Sequence, residues 1–251
     1  SYGVHAIDDH SYSIWLEVVP AVAAVWDLER YGRAARLHGR LAASSRVAPL
    51  AGVGDFPFRV RSYVDARVAM QVVPALRSDV WTHPAIAAAF DDDLRERVLD
   101  SLDLLAAYAD EADALPALTM HGDACPNNLL VTDESPSGFT LIDYGLWSSM
   151  VVGFDLGQLL VGDVAIGRRS AATLSETDAV IVPAYVEGLR AEGCEIDEAT
   201  VRRAHALQMY LFNGVSALPF EMLDALPPDQ LAGIASERAA LTRYCLDLVE
   251  S

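Results

Sequence analysis

The chain contains no lysine: all eighteen of its basic residues are arginine. Any site that relies on a lysine ammonium to hold a phosphate is therefore excluded from these 251 residues. Cysteine is nearly as scarce. Cys125, Cys194 and Cys245 are odd in number and widely spaced, which rules against a disulfide framework or a zinc cluster and suits reduced, partly buried thiols. No basic residue lies near Cys125 in sequence to lower its pKa, so it is a poor nucleophile. No run of eighteen apolar residues occurs, and the opening "SYGVHAIDDH" lacks the basic end and apolar block of a signal peptide; a cytoplasmic protein is the expectation. Positive charge is short overall, giving a formal net charge of -18. That balance makes nucleic acid and anionic membranes poor partners and a cationic ligand a better one, although solubility also accounts for it.

What is present is an ordinary globular composition, 52% hydrophobic and 22% charged, long enough for one or two domains. "YGVHAI" and "YSIWLEVV" read as two strands joined by the polar turn "DDHS". From Asp27 to Ala43 the apolar residues Leu28, Tyr31, Ala35, Leu37 and Leu41 approach helical spacing. Val47 to Val73, rich in Gly, Pro and β-branched residues, reads as irregular with at most one short helix. Pro84 to Asp110 reads as one helix with Leu94, Val98, Leu102, Leu105 and Ala109 on its buried face. "NLLVT" and "FTLID" flank the turn formers of "DESPSG" and predict a β-hairpin. From Phe154 onward the chain reads as helical, with breaks at 162–168, 193–196 and 217–228. In the last helix Pro228 sits in the first turn and Leu231, Ile234, Leu241, Cys245 and Leu248 form the buried stripe.

The chemistry concentrates in "TMHGDACPNNLLV", residues 119–131. Pro126, Asn127 and Asn128 make a continuous helix there improbable, so the polar residues sit on a loop. In the hairpin that follows, the start of the first strand lies beside the end of the second, which brings Asn128 next to Asp143. Asp123 hangs from the same loop. Two carboxylates and one amide oxygen thus share one edge, with Gly122 and Gly145 permitting close approach. Hard oxygen donors of this kind suit magnesium held by one or two protein groups plus substrate phosphates. Asp123 is left to meet a hydroxyl, a division of labour that phosphoryl transfer requires. Each residue alone would be an ordinary turn residue; only the three together point to this chemistry.

"HGDACPNN", then "LIDYG", then "GFDLGQLL" resemble the aminoglycoside phosphotransferase family and its choline and small-sugar kinase relatives. The resemblance implies an α+β, protein-kinase-like fold: a mainly helical large lobe bearing a catalytic β-hairpin, with the small lobe mostly absent from this chain. It implies ATP and Mg2+ as cofactors, Asp123 as catalytic base, Asn128 and Asp143 as magnesium ligands, and Asp155 as a buried acid bracing the loop. His121 would be structural, packing beneath the loop. "YSIWLEVVP" looks like the last small-lobe strand and the hinge, whose backbone at Glu17 and Val19 would meet the adenine edge; taken alone it reads as an ordinary core strand, and its position relative to the loop brings the hinge reading level with that. "YGRAARLHGRLAA" resembles the first large-lobe helix. Residues 1–19 would be a remnant of the small lobe and hinge, and residues 20–251 the catalytic and acceptor-binding lobe. Trp147 either lines an acceptor pocket or fills core.

The family's Gly-rich loop and strand lysine have no counterpart here, and "AGVGDF" after the hinge is a weak phosphate loop. One reading is that the chain begins partway through a longer protein lacking about a hundred N-terminal residues, the size of a small separate domain. The expected function is then ATP-dependent phosphorylation of a small hydroxylated acceptor, such as an aminoglycoside or amino-sugar. The alternative is a catalytically silent, kinase-like binding or scaffold protein. The few residues between Asp143 and Phe154, with no Ala-Pro-Glu signature after them, disfavour a protein substrate.

Overall fold

The computed structural model describes residues 3–47, 58–132 and 138–251. The "AGVGDF" segment and most of the "DESPSG" turn lie outside the described residues. The chain opens on an antiparallel hairpin of β1 (Gly3–Ala6) and β2 (Tyr12–Trp15), with Val4 opposite Ile14 and Ala6 opposite Tyr12. β2 is shorter than its sequence run, because from Leu16 the chain leaves the sheet. Val4, Tyr12, Ile14, Trp15 and Leu16 are each at least 60% exposed. An extended stretch over residues 16–27 then lies along the main body, where the Val22 N–H donates to the Val131 carbonyl at 2.9 Å.

Helix α1 (Leu28–Ala43) starts where Asp27 accepts a hydrogen bond from the Arg30 N–H, an N-cap that satisfies one orphan donor. Its bounds match the sequence expectation, and Tyr31 and Ala35 are buried as expected, but the three leucines are not. Tyr31, Ala34, Ala35, His38, Gly39 and Ala42 face inward, while Leu28 is exposed and Leu37 and Leu41 are half-buried. The cause is the crossing with α8 (Leu174–Ala191), the most extensive helix contact of the fold. A Cβ at Gly39 would stand 2.1 Å from the Tyr185 carbonyl oxygen, and one at Gly188 would stand 2.2 Å from that of Arg36. Backbones this close admit only small residues, so the helix turns its small stripe toward its partner.

Residues 60–76, expected to be largely irregular, form a continuous helical run. It comprises α2 (Val60–Tyr63), a wide-turn segment (Val64–Val72) and α3 (Val73–Leu76). Val60, Val64, Val68, Val72 and Leu76 are all buried and recur every fourth residue. That period exceeds the α-helical 3.6, and i→i+5 turns take up the difference. Burial of the valine stripe outweighs its β propensity. The single helix expected over 84–110 is three: α4 (Pro84–Ala89), α5 (Asp92–Ser101) and α6 (Leu105–Ala114). The first break falls where Phe90 turns extended and Asp91 caps α5 through the Leu94 N–H. The expected stripe of Leu94, Val98, Leu102, Leu105 and Ala109 is nonetheless buried throughout.

Two strands escaped the sequence reading: β3 (Ala117–Met120) and β6 (Ser148–Val151), antiparallel with Thr119 opposite Ser149. The loop therefore begins at His121, not Thr119. Between them β4 (Leu129–Val131) and β5 (Phe139–Leu141) form the expected hairpin, Leu129 opposite Leu141. Helix α7 (Phe154–Ala165) runs through Gly162 and ends within the break expected over 162–168. A Cβ at Gly162 would stand 2.7 Å from that of Cys125, so this glycine serves close packing against the loop. Helices α9 (Glu198–Met209) and α10 (Pro228–Glu250) complete the body. In α10, Leu231, Leu241 and Cys245 are buried as expected, but Ala235, Ala239, Leu246 and Val249 are buried in preference to Ile234 and Leu248. Among the described residues no helix is long and apolar enough to cross a membrane.

Candidate active site

The loop from His121 to Asn128 connects β3 to β4 and is held from below by three buried polar groups. His121 is fully buried, and its Nε2 lies 2.9 Å from the Ile142 carbonyl oxygen. A carbonyl only accepts, so Nε2 carries the proton and Nδ1 is free to accept from the Asp123 N–H at 3.3 Å. The ring thus ties the loop to the end of β5. Next, Gly122 adopts φ +84°, and a Cβ there would stand 2.3 Å from the Leu146 carbonyl oxygen. Only glycine fits both demands.

Asp155, in the first turn of α7, is the second anchor. It is fully buried and accepts the His121 and Gly122 N–H groups, each at 2.9 Å, one on each carboxylate oxygen. The Nδ1 of His38, a buried residue of α1, lies 3.4 Å from the same carboxylate. Burial pushes the Asp155 pKa up, but the His38 ring and the two backbone donors outweigh it and hold the carboxyl below its ordinary range. His38 is the third anchor, and the sequence analysis assigned it no role. Its one signal was a polar residue on the small, inward face of α1.

Above these anchors the Asp123 carboxylate is half-buried and oriented from both sides. Asn128 Nδ2 donates to Asp123 Oδ2 at 3.0 Å and to the Asp123 carbonyl at 2.8 Å. The Cys125 thiol lies 3.3 Å from Oδ1. Burial, followed by the Asp123 carboxylate, raises the Cys125 pKa to about 12, so the thiol is a protonated donor and no nucleophile.

Asn128 is buried on the short 3-10 turn Pro126–Asn128. Its carbonyl accepts the Ile142 N–H at 3.0 Å, which continues the hairpin ladder by one step and sets Asn128 across from the residue before Asp143. Because its amide nitrogen faces Asp123, its side-chain oxygen is the end left to act as a ligand. Asp143 is exposed and adopts φ 61°, ψ 67°, the sole positive φ outside glycine among the described residues. Left-handed backbone costs an ordinary residue roughly 1–2 kcal/mol, less for Asp, and tends to persist where a site needs it. A Cβ at Gly145 would lie 3.3 Å from Asp143 Oδ1, so glycine there keeps the carboxylate's flank open.

Among the described residues no cluster of three or more His, Cys, Asp or Glu side chains could hold a metal. A divalent cation at the hairpin edge would find two hard oxygen donors, Asn128 and Asp143, and would complete its sphere from phosphate and water. That pattern fits magnesium, which keeps several non-protein ligands. Glu17 and Val19 lie in the extended stretch before α1, away from the loop in sequence but upstream of the Val22–Val131 contact that docks the stretch on β4. Glu17 is exposed, and the Val19 carbonyl accepts the Ala21 N–H at 2.8 Å.

The phosphotransferase enzyme family model matches residues 17–198, a span that holds every residue just described. No curated protein matches the chain.

Proposed function

The chain belongs to the phosphotransferase enzyme family, and on that premise we propose that it moves the terminal phosphate of ATP to a hydroxyl of a small molecule. The observation that carries this reading is the Asp123 carboxylate, positioned by Asn128 and Cys125 and left partly open to solvent. The acceptor hydroxyl donates to Asp123, its oxygen attacks the terminal phosphorus as the bond to the ADP oxygen breaks, and the proton passes to the Asp123 carboxylate. Asn128 keeps the base in place through its amide nitrogen, and its oxygen, together with Asp143, would hold magnesium. When bound there, magnesium neutralises phosphate charge and orients the terminal group. The Glu17 carbonyl and the Val19 N–H are the groups offered to an adenine edge, since the Val19 carbonyl is already engaged. His121 and Asp155 fix the loop from beneath without touching substrate.

The test separates the base from the metal ligand in the intact protein. Asp123→Asn should lower turnover by about 10² to 10⁴, the usual contribution of a general base, with nucleotide affinity retained. Asp143→Ala should weaken both magnesium-ATP binding and rate, with partial recovery at raised magnesium. Calorimetric ATP binding beside steady-state kinetics reads both; near-native turnover in Asp123→Asn would refute the assignment of the base.

A further inference from the structure

Beside the loop lies a cavity of about 370 Å³ lined by Ala24, Val25, Trp26, Pro126, Asn127, Asp163, Arg168 and Arg169. Its walls come from three places: the stretch before α1, the outer residues of the turn between Asp123 and Asn128, and the end of α7 with the residues after it. Asn127 is one residue, about 3.8 Å between Cα atoms, from Asn128, whose amide touches the Asp123 carboxylate. The wall is therefore within about 10 Å of the proposed base, the length of one small molecule.

The charge at this cavity runs against that of the whole chain. Two guanidinium groups face one carboxylate, Asp163, which also accepts from the Tyr31 hydroxyl at 3.3 Å. Arg169 is held in place: its guanidinium lies 4.6 Å from the Tyr31 ring centroid, and Nη2 donates to Thr177 Oγ1 at 3.1 Å. Arg168 is not. Its side chain is 66% exposed and its Nη1 only approaches Asp163 Oδ1, at 3.9 Å. Arg30 adds a third guanidinium by donating to the carbonyl of Val25, a wall residue. Arg33 stands 5.8 Å from the Phe139 ring centroid, and Phe139 packs on Trp26. In a chain with net charge -18, two arginines against one carboxylate thus line the cavity beside the loop, with Arg30 and Arg33 on the helix next to it. Charge spread over a surface governs solubility and encounter, whereas the groups lining a site govern what it holds.

Resting on the phosphotransferase reading above, we propose that this cavity is the acceptor subsite and that the acceptor carries an anionic group, a carboxylate or a phosphate. Arg168 takes the anion, Arg169 supplies fixed positive potential behind it, and Asn127 and Trp26 shape the space through which the acceptor's hydroxyl reaches Asp123. Arginine suits the task because its planar fork binds either anion through paired hydrogen bonds.

The experiment uses the intact protein with matched probes: glycerate against glyceramide, glucuronate against its methyl ester, and a cationic aminoglycoside. The acids should be phosphorylated with at least a ten-fold higher kcat/KM than their uncharged partners. Arg168→Ala should raise KM for the acids ten-fold or more with little change in kcat or in magnesium-ATP affinity, and Arg168→Lys should recover part of the loss. Calorimetric titration of the acids without nucleotide should show the same dependence on Arg168. Arg168 is exposed, so its variants keep the fold where Arg169→Ala would disturb packing on Tyr31. Preference for the uncharged or cationic probes, or an acid KM unchanged by Arg168→Ala, overturns the subsite while leaving the phosphotransferase reading intact. Absence of both magnesium-ATP binding and transfer to every probe overturns the two together.

Discussion

Asp155→Asn is the sharpest probe of how the loop is held. The native carboxylate offers one oxygen to each of two backbone donors, at 2.9 Å both, in a site with no solvent exposure. Asparagine has the same shape but a single acceptor, so one of the two N–H groups must face an amide nitrogen. An orphaned buried donor costs about 1–3 kcal/mol, and the surviving bond, no longer charge-assisted, loses roughly 1 kcal/mol more. His38 loses the carboxylate 3.4 Å from its ring as well. The expected loss is therefore about 2–4 kcal/mol, which for a chain of this length lowers Tm by roughly 10 °C. The pH dependence sharpens the test. The folded pKa of Asp155 is depressed, so its contribution is fully present above the unfolded value of about 3.9 and vanishes as pH falls through the folded value. Urea midpoints from pH 7 to pH 3 should show a constant gap between wild type and variant down to about pH 5, closing below about pH 4. A gap under about 1 kcal/mol at pH 7, or one that stays level to pH 3, would show that Asp155 does not carry the loop.

Two further outcomes test other parts of the structure. Gly188→Ala forces a methyl to within 2.2 Å of the Arg36 carbonyl oxygen, which must part α1 from α8; a loss of about 2–4 kcal/mol in thermal or denaturant unfolding is expected, against little effect for Gly233→Ala, where the space is open. Thiol labelling at pH 8 should modify Cys194 first: Cys125, with a pKa near 12, is thiolate in only about one molecule in ten thousand, and Cys245 is buried with its pKa also raised. Prompt reaction of Cys125 in the native protein would contradict the thiol contact with Asp123.

The β4–β5 hairpin was legible because its signals are local. Turn residues bound two short β-prone runs, and strand pairing alone then places Asn128 beside the Asp143 end. Asp155 was reached only through the family resemblance, since its partners His38, His121 and Gly122 lie far away in the chain. What escaped is what depends on distant chain. The His38 contact joins residues 117 positions apart, and no local pattern announces it. The inward face of α1 was rotated from its leucines to its alanines by two glycines, one of them on α8. The valine stripe of residues 60–76 looked like strand or loop chemistry because its period becomes helical only in a wide turn. Strands β3 and β6 were too short, and β6 too rich in serine, to register. The left-handed backbone of Asp143 has no sequence signature at all, since aspartate is common in every kind of turn.

The β1–β2 hairpin has a consequence for handling this chain in solution. Its paired residues Val4, Ile14, Ala6 and Tyr12 share one face, and in a sheet of two strands each strand has an unpaired edge. Bare apolar faces and open edges are templates for pairing with another copy. The net charge of -18 opposes such pairing, and that repulsion acts only over a Debye length, about 10 Å at 0.1 M salt and 3 Å at 1 M. Salt, usually added to keep a protein in solution, would here lower that barrier, so self-association through the hairpin is expected to rise with ionic strength, which light scattering across a salt series would read.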